Sequence, residues 1–286
     1  MTQNLDRYQL LTDWAEFRQS FSNEAPPRET ARPWGFEIET PEADNLHENL
    51  TRDERELLNF TQDCSIEGGE NNQDCECDCR SCYYHDCDCD SCEVEGSSDP
   101  DHDCGSSECY SEGTEFQEIT TLAGGVKTTH PEALEVLIGA GLESAKITSN
   151  CGLHMNLGSK DLTPYQVSRV VSAYRMAYPL LTVLAGRESE RFARPISPTV
   201  EQYARQGEPT EKMTAVHTGH HFANLRYGRP DEARIEFRQH QGTNSPAQIR
   251  AWAWLMVELV EFAKSNRPFY WLAKAKTLRE FRTALK

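Results

Sequence analysis

Gly35-Phe36-Glu37-Ile38-Glu39-Thr40 alternates apolar and acidic side chains. A period of two predicts a β-strand with Phe36 and Ile38 on one face and Glu37 and Glu39 on the other. Residues two apart along a strand lie roughly 6.5–7 Å from each other. Two carboxylates at that spacing repel unless a cation sits between them. Both are hard oxygen donors, which suits Mg²⁺ and a bound polyphosphate better than zinc. The plain alternative for this stretch alone is a solvated strand face with two ordinary glutamates.

The same layout returns in four further strand candidates. In 233–240, Ile235 and Phe237 oppose Arg234, Glu236, Arg238 and His240. In Gly152-Leu153-His154-Met155-Asn156-Leu157, the leucines and methionine oppose His154 and Asn156. In 222–227, Asn224 and Arg226 oppose Ala223, Leu225 and Tyr227, and in 116–120 Glu118 and Thr120 fall together. Each apolar side can pack on helices. The combined polar side would carry four carboxylates, a histidine and three arginines, the inventory of a metal–nucleotide site. Carboxylates hold Mg²⁺, the metal bridges phosphate oxygens, and arginines neutralise a transferring phosphoryl group. A mixed-charge sheet face turned to solvent is the competing reading; repetition over five strands favours the site.

Helical spacing of apolar residues predicts helices over 4–21, 131–138, a long stretch behind Thr163-Pro164, and one behind Ser245-Pro246. The last carries Ile249, Trp252, Leu255, Met256, Leu259 and Val260 and reads as buried core. Pro26-Pro27 marks 23–32 as a linker, 41–52 reads as a polar loop, 53–60 as a short helix, and 62–66 as the start of a second strand. Residues 186–220, rich in Arg, Pro and Gly, read as an irregular lid, and 267–286 as one basic amphipathic helix. The expected division is an N-terminal helix and linker (1–32), then a catalytic domain (33–286) holding an insert at 64–113. The chain begins without a charged and apolar leader and has no 18-residue apolar run, so a cytoplasmic protein without a membrane span is expected.

The net charge of −17 is local. Between 64 and 118 there are 17 acidic residues and one basic, Arg80, whereas the remainder holds 29 acidic and 28 basic. A basic face for generic nucleic-acid binding is not supported. Ten of the 11 cysteines also fall between Cys64 and Cys109. Cys77-Asp78-Cys79-Arg80-Ser81-Cys82 repeats ten residues later as Cys87-Asp88-Cys89-Asp90-Ser91-Cys92, with Cys75 before and Cys104 and Cys109 after. In a cytosolic protein such clustering points to structural Zn²⁺ held by thiolates, with His85 and His102 as alternative ligands. Disulfides, or an iron–sulfur or redox role, are the other readings. Asp86, Asp88 and Asp90 lack the glycine and glutamate of a calcium-binding helix–loop–helix, which excludes that motif.

Gly35-Phe36-Glu37-Ile38-Glu39, Cys151-Gly152-Leu153-His154-Met155-Asn156 and Arg234-Ile235-Glu236-Phe237-Arg238-Gln239-His240-Gln241-Gly242-Thr243 follow one another in this order. Together they resemble the signature of the amidoligase family, carboxylate–amine ligases with a glutamine-synthetase-like catalytic fold. The resemblance implies an α+β domain whose curved, mainly antiparallel sheet carries helices on its outer face. It implies ATP- and Mg²⁺-dependent joining of a carboxylate to an amine through an acyl phosphate. On that pattern Glu37, Glu39, Glu118, Glu236 and His154 would hold Mg²⁺. His154, Asn156, Arg226 and Arg238 would meet the nucleotide, and Arg238, Glu236, Arg234 and Arg187 would serve the reacting groups. The carboxylate and amine partners, a peptide or protein among them, are not named by the sequence. The alternative expectation is a zinc-organised interaction protein with a degenerate ligase face; a metal-dependent hydrolase is a third.

Overall fold

The computed structural model describes residues 5–21, 32–61, 118–121, 131–186, 223–226, 234–265 and 267–286. Within them helices and one open antiparallel sheet alternate along the chain. The helices are α1 (Arg7–Gln19), α2 (Ala43–Glu48), α3 (Arg52–Arg55), α4 (Pro131–Gly139), α5 (Pro164–Ala185), α6 (Pro246–Lys264) and α7 (Leu278–Leu285). The strands are β1 (Trp34–Glu39), β2 (Leu58–Thr61), β3 (Glu118–Thr121), β4 (Gly152–Gly158), β5 (Ala223–Arg226) and β6 (Arg234–Gln241). They lie side by side in the order β2-β3-β1-β4-β6-β5, with every pairing antiparallel.

The sheet's apolar face follows from the alternation. Phe36, Ile38, Ile119, Leu153, Met155, Leu157, Ile235 and Phe237 are all buried and join one core. α5 and α6 cover that face, since α5 contacts β6 and α6 contacts β4. Both helices begin as their sequences predict: Thr163 and Ser245 accept hydrogen bonds from the backbone N–H groups of Gln166 and Gln248, with proline next. α1 packs against α5, α6 and α7 through Leu10 and Trp14, the latter edge-on to Trp252. The N-terminal helix is thus built into the same core as the sheet.

Arg32, buried just ahead of β1, ties the sheet to the helices. It pairs bidentately with Asp161 at 2.8 and 2.9 Å, donates to Glu261 of α6 at 2.7 Å, and donates to the Gly158 carbonyl. A planar fork with several donors suits this junction.

Three expectations are corrected. The 41–52 stretch is not all loop: α2 forms there because Ala43 and Leu46 bury on one side. Part of the helix expected over 53–60 is β2, where Leu58 is buried and Phe60 meets the His47 ring edge-on at 4.8 Å. The 62–66 strand, all but Arg32 of the 23–32 linker and all but Gly186 of the 186–220 lid lie outside the described residues. The tail is two elements, a 3₁₀ turn at Phe269–Lys274 and α7. Extended Ala275 separates them, and Thr277 caps α7 by accepting from Glu280 N–H.

Candidate metal centre

The polar face is buried. Glu236, His154 and Asn156 are each 1% exposed and Glu39 is 3% exposed, which rules out a solvated sheet surface. Charged side chains reach such burial only when paired. The pairing comes from register. In the β1–β4 ladder Glu37 lies opposite His154 and Gly35 opposite Asn156; in β4–β6 Asn156 lies opposite Glu236. Directly opposed residues share a face, so three separate stretches converge.

His154 stands between the two glutamates of β1. Its Nδ1 lies 2.9 Å from Glu37 Oε2 and its Nε2 3.2 Å from Glu39 Oε1, while Glu236 Oε1 is 3.7 Å from Nδ1. Glu37 Oε1 accepts from Asn156 Nδ2 at 2.8 Å, and Glu39 accepts from the Gly152 N–H. Arg238 Nη1 donates to Glu236 Oε1 at 2.5 Å.

The electrostatics follow from this packing. Burial pushes the Glu37 carboxyl up, but the hydrogen bond and charge of His154, with Asn156 and Arg238, outweigh it and hold that group below the usual carboxylate range. Burial and the Arg238 charge oppose protonation of His154, yet Glu39 and Glu37 prevail and raise its pKa. Arg238, desolvated but facing Glu236, Glu37 and Glu39, is held charged more firmly than usual. The His154 ring thus lies between Glu37 and Glu39, where the spacing of the two carboxylates calls for positive charge.

Glu37, His154 and Glu236 each offer one ligand atom, and those atoms lie within 4.8 Å of one another. The donor set, carboxylate oxygens with one imidazole nitrogen, fits a hard or borderline divalent ion such as Mg²⁺ or Mn²⁺. Asn156 Oδ1 is buried and accepts no hydrogen bond among the described residues, while its Nδ2 donates to Glu37. The residues therefore fit a divalent cation.

The other expected site residues divide into three groups. The β1–β3 register sets position 118 opposite Glu39, and the β5–β6 register sets 226 opposite Arg234. Arg234 is partly buried at the start of β6, next to the Gly158 end of β4. Arg187 and the nine cysteines Cys75, Cys77, Cys79, Cys82, Cys87, Cys89, Cys92, Cys104 and Cys109 lie outside the described residues.

His240 is a correction. Strict alternation puts it beside Arg238, but the β4–β6 register shifts between Leu153 and Met155, and His240 falls opposite Leu153 on the apolar face. There its ring meets Trp252 edge-on at 4.8 Å, donates to the Gln241 carbonyl at 2.6 Å, and lies 3.1 Å from Gln248 Nε2. The bulge spans Arg238 and Gln239, both of which face the span of His154. Gln239 also turns inward, accepting from Tyr174 Oη at 2.9 Å and donating to Thr182 Oγ1 at 2.6 Å. An extra residue in one strand re-aims its neighbours; here Arg238 meets Glu236 while Gln239 turns to Tyr174 and Thr182. Nothing in the alternation announced the bulge, the Gly152 amide or the Gln239 anchor.

Gly242 follows from close packing. A Cβ there would sit 2.6 Å from Cys151 Cβ and 2.9 Å from Ile147 Cγ2. No protein-family model, curated protein or solved structure matches the chain.

Proposed function

We propose that the chain is an ATP- and Mg²⁺-dependent carboxylate–amine ligase with a glutamine-synthetase-like catalytic fold. It forms an amide or peptide-like bond through an acyl phosphate. The observation that carries this reading is the convergence of Glu37, Glu39, Glu236, His154 and Arg238, drawn from three strands, on one buried polar face. Mg²⁺ at these carboxylates would bridge phosphate oxygens and neutralise charge as the phosphoryl group moves. Glu37, Glu236 and His154 would hold the ion, with Glu39 as a further carboxylate beside them. Asn156 fixes Glu37 through Oε1, while Oε2 meets His154 Nδ1 at 2.9 Å. Arg238, a fork held by Glu236, supplies positive charge to a phosphoryl group in transfer. Burial strengthens each of these interactions. A carboxylate anion is a poor acylating group in water, and phosphorylation converts its oxygen into a leaving group. The cysteine-rich stretch would hold structural Zn²⁺, and the substrates are a carboxylate and an amine, free or on a peptide.

The test is phosphate release. It should require ATP, Mg²⁺, a carboxylate and an amine together, and Glu236→Gln should abolish it. A second reading is favoured by one observation: the His154 ring already bridges Glu37 and Glu39. On that reading the face is degenerate and the protein is a zinc-organised interaction module. Such a protein would bind zinc stoichiometrically but ignore Mg-ATP.

A further inference from the structure

The C-terminal segment builds a groove that the ligase reading does not use. Phe262, Pro268 and Trp271 supply its apolar wall, Lys274, Lys276 and Arg279 its charged wall, and it encloses about 890 Å³. Trp271 is 62% exposed, a large ring left uncovered by the described residues. Lys274 sits over the Tyr270 ring at 4.1 Å, and Lys276 and Arg279 form no ion pair among the described residues. Residues 264–286 carry seven basic side chains and one acidic. Aromatic rings flanked by cations are the composition of an interface hot spot, and the complement is an acidic segment with an apolar anchor.

This chain carries such a segment. Residues 64–118 hold 17 acidic side chains and one basic, and within them Tyr83-Tyr84 is followed by Asp86, Asp88 and Asp90. We infer that the groove is the docking site of the chain's own acidic stretch, with a tyrosine ring against Trp271 and aspartates against Lys274, Lys276 and Arg279. The stretch leaves β2 at Thr61 and re-enters β3 at Glu118. Roughly 28 residues on either side of its middle reach at most about 90 Å, and a compact chain of this length is about 50 Å across. Single exposed ion pairs contribute little, but several act together when a ring is buried among them. Tethering raises the effective concentration of the segment to the millimolar range. The inference does not depend on the ligase reading.

Carbodiimide coupling of the full-length chain tests it, because the reagent joins only a lysine and a carboxylate already in contact. An equal mixture of ¹⁵N-labelled and unlabelled copies separates coupling within a copy from coupling between copies. The expected products join Lys274 or Lys276 to acidic residues of 64–118 within one copy, and they disappear in 1 M salt, where the screening length is about 3 Å. Trp271→Ala combined with Arg279→Glu leaves both lysines as reporters and should lower the yield at least about fivefold. Arg279→Glu alone, with Trp271 kept, should lower it as well, and an unchanged far-UV spectrum shows that each variant folds. Coupling of these lysines only to acids outside 64–118, coupling only between copies, or a yield that neither substitution changes overturns the inference.

Discussion

Glu236→Gln separates a functional charge cluster from a structural one. Glu236, 1% exposed, donates no hydrogen and accepts from Arg238 at 2.5 Å. Glutamine keeps the volume and the acceptor, so a charge-assisted bond becomes a neutral one, at a cost of about 1–2 kcal/mol. Against that, the cluster sets three carboxylates (Glu37, Glu39 and Glu236) around the Arg238 guanidinium and the His154 ring. Removing one negative charge relieves their repulsion and offsets most of the loss. A chain of 286 residues moves its Tm by about 2 °C per kcal/mol. Without metal, the variant should therefore melt within about 2 °C of wild type.

With metal the two should part. A ligand at 100 times its Kd stabilises the native state by about 2.7 kcal/mol, or about 5 °C here. Loss of one carboxylate ligand, weakening affinity about 100-fold, leaves about 0.4 kcal/mol at the same concentration, under 1 °C. The assay is thermal unfolding with and without Mg²⁺ or Mn²⁺. Equal stabilisation of both proteins, or no stabilisation of wild type, would refute the metal centre.

Other perturbations probe how the cluster is held. Gln239→Leu strands Tyr174 Oη and Thr182 Oγ1 in the core and should lower stability by about 1–3 kcal/mol, read as a Tm drop of about 2–6 °C. Gly242→Ala forces a Cβ into Cys151 and Ile147 and should cost about 1–3 kcal/mol by denaturant titration. His154 has a folded pKa above its ordinary 6.5, so its stabilising contribution is complete below that value and is lost as pH rises through the raised one. Chelator-treated protein should therefore lose stability on the alkaline side of about pH 6.5. His154→Asn should flatten that slope; an unchanged slope would show that His154 is not the titrating group.

Alternation along single strands determined much of this protein. The period of two at Phe36/Ile38 and Leu153/Met155 fixes which face meets the helices, because an apolar side chain gains only when buried. It therefore also fixes which face Glu37, Glu39, His154, Asn156 and Glu236 share. Helix starts at Thr163-Pro164 and Ser245-Pro246 were equally readable, because a cap is a local hydrogen bond. What depends on neighbouring strands was decided by the tertiary structure. Strand order and register bring Glu37 opposite His154 and Asn156 opposite Glu236. The bulge at Arg238 and Gln239 sends His240 to Trp252, since the partner strand alone defines an extra residue. Burial of the polar face is tertiary too, and it lowers the Glu37 pKa and raises that of His154, because the energy of a charge depends on what replaces its water.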